Sequence, residues 1–129
     1  MSSTPLTGVR LLLVDDDAGV REGLHDFFVD CGAAVVDAGS ARAGLSAFIA
    51  APPEVVVSDI RMPPGEDGFW LISAIRALPA GAGGAVPALA LSGDPDALDK
   101  AAGAGFQAAR AKPARLAELV TLVAQLASR

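Results

Sequence analysis

Short apolar runs alternate with amphipathic stretches along the whole chain. The first run, Val9–Val14 (VRLLLV), has strand character and stops at three successive aspartates, Asp15, Asp16 and Asp17. Beyond it Val20, Leu24, Phe27, Phe28 and Cys31 recur at helical spacing, with Asp17 ahead as a cap and Gly32 behind as a stop. Ala33–Val36 predicts a second strand. Ser40 then caps a helix with Ala41, Leu45, Phe48 and Ile49 on one face, ended by Pro52 and Pro53. Glu54–Ser58 (EVVVS) predicts a third strand, and its three adjacent valines imply burial on both faces.

A proline- and glycine-rich loop, Ile60–Gly68, leads to a helix with Leu71, Ile72, Ile75 and Leu78 on its apolar face. Ala80–Ala85 (AGAGGA) reads as a flexible connection. Val86–Leu91 predicts a fourth strand, with Pro87 near its start. Ala97–Ala102 is a short alanine-rich helix, and Phe106–Ala111 a fifth strand required by the alternation rather than by propensity. Pro113 is expected to open the last helix, with Leu116, Leu119, Val120 and Val123 facing the core. Five strands alternating with five helices predict an α/β domain: a doubly wound parallel sheet with helices on both faces. It spans residues 9–127, after an N-terminal extension of residues 1–8, and no further domain is expected.

Composition narrows the class. A hydrophobic content of 52% against 19% charged residues excludes disorder over 129 residues. Ten Lys and Arg against fifteen Asp and Glu give a net charge of −5, which argues against a nucleic-acid partner. Cys31 is the single cysteine, so neither an intramolecular disulfide nor a cysteine-rich zinc site is available. MSSTPLTGVR lacks the pattern of a signal peptide. The uncharged stretch from Ala77 to Gly93 is broken by Pro79, Pro87 and several glycines, against a membrane helix. These readings predict a small cytoplasmic domain.

The informative polar residues stand at the ends of the apolar runs. Strand one ends in Asp15, Asp16 and Asp17, strand three in Asp59, strand four in Ser92 and strand five in Lys112. In a doubly wound parallel sheet these carboxyl ends share one edge, where ligands bind. Two carboxylates 4 Å apart repel by ~4 kcal/mol at an effective dielectric of 20, so such a cluster calls for a cation. Hard oxygen donors with room for water suit Mg²⁺ or Mn²⁺. An ion, an ammonium and a hydroxyl around one carboxylate suit a phosphoryl group, with Asp59 as the nucleophile that accepts it.

LLLVDDD, VVVSDIRMPPGEDG, LALSG and AKP, in that order, resemble the receiver domain of bacterial two-component response regulators. The resemblance covers roughly Val9 to Ala127. It implies a flavodoxin-like fold with strand order 2-1-3-4-5. It makes Asp59 the phosphoacceptor, and gives the metal Asp15, Asp16, Asp59 and the backbone carbonyl of Arg61. Ser92 becomes the hydroxyl that moves onto the phosphoryl group and Lys112 the lysine that contacts it, followed by a cis bond to Pro113. Mg²⁺, with Mn²⁺ as substitute, is the implied cofactor. The implied partner is a histidine kinase or histidine phosphotransfer protein, docking on the Asp17–Cys31 helix. A downstream protein would bind the face between strand four and helix five, with no nucleic acid and no membrane. The domain would be a monomer or weak dimer, and no enzyme beyond its own phosphorylation and dephosphorylation. The MPPGEDGFW loop and the GFQ…AKP segment resemble receivers attached to hybrid histidine kinases.

The chain departs from that pattern at Ala109, where many receivers carry an aromatic switch residue three positions before the lysine. Phe106 is out of register with that position. The usual coupling from hydroxyl to aromatic is therefore in question, leaving backbone shifts in the Ser92–Pro95 loop as an alternative. Arg61 is positioned either to shield a phosphoryl group or to pair with Asp94. A degenerate receiver acting as a phosphorylation-independent binding module is the main alternative, but it would be expected to have lost Asp59, Lys112 or the acidic pair. A haloacid-dehalogenase-like phosphatase lacks room for its cap domain, and a flavin carrier lacks its phosphate loop. His25 reads as a surface histidine, Cys31 as a small buried hydrophobe and Trp70 as a packing residue. Asp94, Asp96 and Asp99 fail as a calcium loop because Gly105 stands where its glutamate should be.

Overall fold

The computed structural model describes residues 4–128. Five strands alternate with five helices: β1 (Arg10–Val14), α1 (Ala18–Asp30), β2 (Ala34–Ala38), α2 (Ala41–Ala50), β3 (Val55–Asp59), α3 (Gly68–Arg76), β4 (Ala88–Ser92), α4 (Pro95–Ala104), β5 (Ala108–Ala111) and α5 (Leu116–Ala127). All pairings are parallel, in the order β2-β1-β3-β4-β5. This is the flavodoxin-like doubly wound sheet.

Burial follows from the strand sequences. Every residue of β3 (VVVSD) and β4 (ALALS) is buried, as continuous apolar runs at the centre of a doubly covered sheet require. The sheet divides two apolar layers. Val56, Ala88 and Ala90 join Phe48, Leu71, Ile72 and Ile75 of α2 and α3 on one side. Val55, Val57, Leu89 and Leu91 join Phe28 of α1 and Leu119 and Val123 of α5 on the other. Leu6, ahead of β1, is fully buried in this second layer, and its N–H donates to the Cys31 carbonyl.

Caps start four of the five helices. Asp17, Ser40, Asp67 and Asp94 accept backbone N–H bonds at the N-termini of α1, α2, α3 and α4. The fifth corrects an expectation. α5 begins at Leu116 with Arg115 ahead of it and no side-chain cap, so Pro113 lies in the β5–α5 loop. The fixed φ of proline suits a turn as well as a first helical turn, and here it serves the turn.

Three apolar positions assigned to core faces are exposed: Val20, Ile49 and Leu116. Periodicity sets the direction of a side chain but not how far the covering surface extends. Cys31 is half-buried at the C-cap of α1 rather than enclosed, and burial, with Asp30 beside it, pushes its thiol up. β2 lies later than expected, and the AGAGGA connection holds a 3₁₀ turn at Ala80–Ala82.

Candidate functional site

The parallel sheet delivers its polar strand ends to one edge. Asp59 closes β3, Ser92 closes β4, and Asp15 follows β1 directly. All three are buried, and for the two aspartates this is an unusual state outside a functional or paired setting. Asp15, Asp16 and Asp59 each contribute a carboxylate oxygen to a group whose atoms lie within 4.8 Å of one another. Asp16 is exposed and opens the cluster to solvent.

Lys112, from the loop after β5, supplies the counter-charge. Its Nζ is 2.7 Å from Asp15 Oδ2 and 3.3 Å from Asp59 Oδ2. Burial works to lower the Lys112 ammonium, but the hydrogen bond and charge of Asp15, with Asp59 behind them, hold it above the ordinary lysine value. For Asp59 burial dominates and pushes the carboxyl up. Lys112 opposes that rise, while Asp15 and Asp16 add to it. A carboxylate in this setting is short of positive charge. Three hard oxygen donors suit Mg²⁺ or Mn²⁺, so the donor set fits the ion its charge demands.

Neighbouring groups fix the acidic loop. Asp15 Oδ1 accepts the Asp17 N–H at 2.9 Å, and Arg21 donates to the Asp15 carbonyl at 2.8 Å. Ser92 Oγ accepts the Asp94 N–H at 3.0 Å. Arg61 does pair with Asp94, its Nε and Nη2 lying 3.1 and 2.7 Å from Asp94 Oδ2. Asp94 is held below the usual carboxylate range, first by that hydrogen bond and then by the Asp96 N–H. The Lys112–Pro113 bond is cis, as is Pro63–Pro64.

Two supporting residues escaped the sequence reading. Arg21 secures Asp15, and nothing in its helical context distinguishes it from a solvated arginine. Gly68 was treated only as a loop terminus. A Cβ there would meet the Asp59 carbonyl oxygen at 2.5 Å and Ile60 Cα at 2.9 Å, so α3 starts directly against the end of β3. Glycine following a capping aspartate ahead of an apolar run was the available signal.

The family model for the response regulator receiver domain matches residues 11–124. The chain belongs to that family. This receiver is 38% identical over 122 residues to a 14.6 kDa protein encoded beside sodA1 in Leptolyngbya boryana, covering 93% of this chain and 91% of that one. A protein described as a response regulator from Chloroflexus aurantiacus superposes with a TM-score of 0.86 at 32% identity, over 94% of this chain and 98% of that chain. The chemotaxis protein CheY4 of Vibrio cholerae gives 0.82 at 24% identity, over 92% of this chain and 98% of its own, a likeness of fold. The expected site residues Asp15, Asp16, Asp59, Ser92 and Lys112 line one edge of the receiver's sheet. Arg61 stands beside them with its guanidinium turned to Asp94. His25 lies away from this edge, 3.3 Å through Nδ1 from Asp37 on β2, and Trp70 packs under the Arg42 guanidinium at 5.0 Å.

The aromatic position is a different matter. Ala109 lies on β5 in a groove of about 410 Å³ between α4 and α5, and Phe106, buried in the connection between α4 and β5, lines the same groove. Among the described residues no helix is long and apolar enough to cross a membrane.

Proposed function

We propose that this receiver accepts a phosphoryl group onto Asp59 from a phosphohistidine donor, in a reaction that requires Mg²⁺. The observation that carries this reading is the buried Asp59 carboxylate, flanked by the Lys112 ammonium at 3.3 Å and by the Asp15–Asp16 pair. One Asp59 oxygen attacks phosphorus. The new O–P bond forms as the N–P bond of the donor breaks, and the released imidazole nitrogen takes a proton from water. Lys112 meets the charge on the transferring oxygens, and Ser92 offers its hydroxyl to the same group. Asp15, Asp16, Asp59 and the Arg61 carbonyl would hold the ion, which would supply positive charge to offset the negative charge of the transfer.

The functional unit is taken as residues 9–127, acting in the cytoplasm through protein contacts or onward phosphotransfer. A histidine kinase or histidine phosphotransfer protein would be the donor, docking on α1, with output through the face between β4 and α5. Catalysis beyond its own phosphorylation and dephosphorylation is not part of this reading.

Intact-mass measurement after incubation with acetyl phosphate tests it. A single ~80 Da adduct that needs Mg²⁺ and is missing in Asp59→Asn is expected. No adduct from acetyl phosphate or from phosphorylated donor proteins overturns it, leaving a binding module with an unused acidic pocket.

A further inference from the structure

Asp94 holds two groups that seek phosphate. Its backbone N–H occupies the Ser92 Oγ lone pair at 3.0 Å, and its Oδ2 takes both Nε and Nη2 of Arg61. Its remaining oxygen, Oδ1, accepts the Asp96 N–H at 3.0 Å and caps α4. One residue therefore ties together the hydroxyl at the end of β4, a guanidinium two positions beyond Asp59, and the start of a helix. Asp94 acts on Arg61 foremost, with Asp67 at the start of α3 and Asp96 on α4 behind it, and both guanidinium bonds go to the cap of α4.

The geometry points to Asp94 as a positioning residue that restrains Arg61 and Ser92 in the unphosphorylated receiver and releases both to the phosphoryl group on Asp59, loosening the first turn of α4. The inference rests on Asp59 being the phosphoacceptor. Arg61 is mostly exposed, so its pairing with Asp94 is weakly held, and a doubly charged phosphoryl group two residues away competes well for a planar guanidinium. Rotation of Ser92 toward that group breaks the bond from the Asp94 N–H. Both movements act on the residue that caps α4, giving a route to the helix that does not pass through β5. In this chain β5 presents only Ala109 where a bulky lever would sit.

The test is a double-mutant cycle. Asp94→Asn keeps the helix cap, because asparagine caps as well as aspartate, and removes the charge that holds Arg61. Arg61→Gln keeps the backbone carbonyl and removes the guanidinium. The rate of ~80 Da adduct formation from acetyl phosphate, in which an Asp59 oxygen displaces acetate, is measured for both singles and the double. Asp94→Asn is expected to raise the rate roughly threefold to tenfold, and the gain should vanish when Arg61→Gln is also present. Amide exchange provides the second readout. In the unmodified protein Arg61→Gln should speed exchange at Asp96 and Ala97 severalfold, as phosphorylation does in the wild type. An adduct with additive effects of the two substitutions, or unchanged α4 exchange on phosphorylation, overturns this inference alone. No adduct on the wild type overturns it together with the phosphoacceptor assignment.

Discussion

Lys112 Nζ bonds to Asp15 Oδ2 at 2.7 Å, across 97 positions of sequence, more closely than to Asp59. The lysine therefore has a structural partner as well as a chemical one. Asp15 is 1% exposed and also accepts the Asp17 N–H, so its carboxylate is satisfied on both oxygens. Removing it leaves the half-buried Lys112 ammonium only its longer contact with Asp59 and frees the Asp17 amide. Asp15→Ala is expected to cost about 2 kcal/mol in urea unfolding, somewhat offset by relief of its repulsion with Asp59.

Asp16 gives a cleaner handle on the metal. It is exposed, and no side-chain hydrogen bond ties it to the rest of the described chain, so Asp16→Ala should leave metal-free stability within about 0.5 kcal/mol. Saturating Mg²⁺ at a hundred times its Kd should stabilise the wild type by about 2.7 kcal/mol. Most of that gain should disappear in Asp16→Ala. Thermal melts in EDTA and in Mg²⁺, for both proteins, provide the comparison. Equal gains for both would show that the ion does not sit on this cluster.

The pH dependence of Asp59 has a definite sign. Burial raises its carboxyl above the ordinary value, so the folded receiver binds a proton more readily than the unfolded chain. The contribution is favourable below the unfolded pKa and is lost as pH rises from about 4 through the raised folded value. In EDTA, wild-type stability should fall across that interval, and Asp59→Asn should flatten the fall. At neutral pH the variant should be the more stable, by about 1 kcal/mol or ~4 °C in Tm. A variant that melts lower at neutral pH would show that the Lys112 contact outweighs the burial cost.

Gly68 tests how tightly the start of α3 is set against the end of β3. Gly68→Ala puts a methyl group 2.5 Å from the Asp59 carbonyl oxygen, where backbone must yield. A loss of about 2 kcal/mol is expected, with slower adduct formation on Asp59 because the shift falls at the end of β3. Unchanged stability with unchanged labelling would mean that the α3 start moves freely.

Where one physical rule dominated, the sequence could be read directly. VVVS followed by Asp59 marks a central strand and its ligand-binding end, because only a doubly covered strand places three adjacent valines in the core. The strand-end rule then brought Asp15, Asp59, Ser92 and Lys112 to one edge. Pro113 misled because its fixed φ serves loops and helix starts alike. Leu116 and Ile49 misled because periodicity carries no information about overhang. Leu6 falls in the N-terminal extension, yet it is fully buried in the layer that α1 and α5 cover, a burial that no periodicity in so short a segment signals. The Gly68 contact and the Asp94 network depend on loop paths, and the sequence indicated only the pairing of Asp94 with Arg61.

Because the site joins the ends of β1 and β3 to a lysine that follows β5, it cannot exist on a partly made chain. During synthesis the acidic group leaves the ribosome first, with its charges hydrated and apart. The burial that raises the Asp59 carboxyl waits for β4, and the ammonium that balances it waits for the last strand. A nascent or truncated receiver ending before Lys112 would carry every acidic residue of the site without the cation that pairs with them. The balance of charge at this edge thus arrives only with completion of the fold.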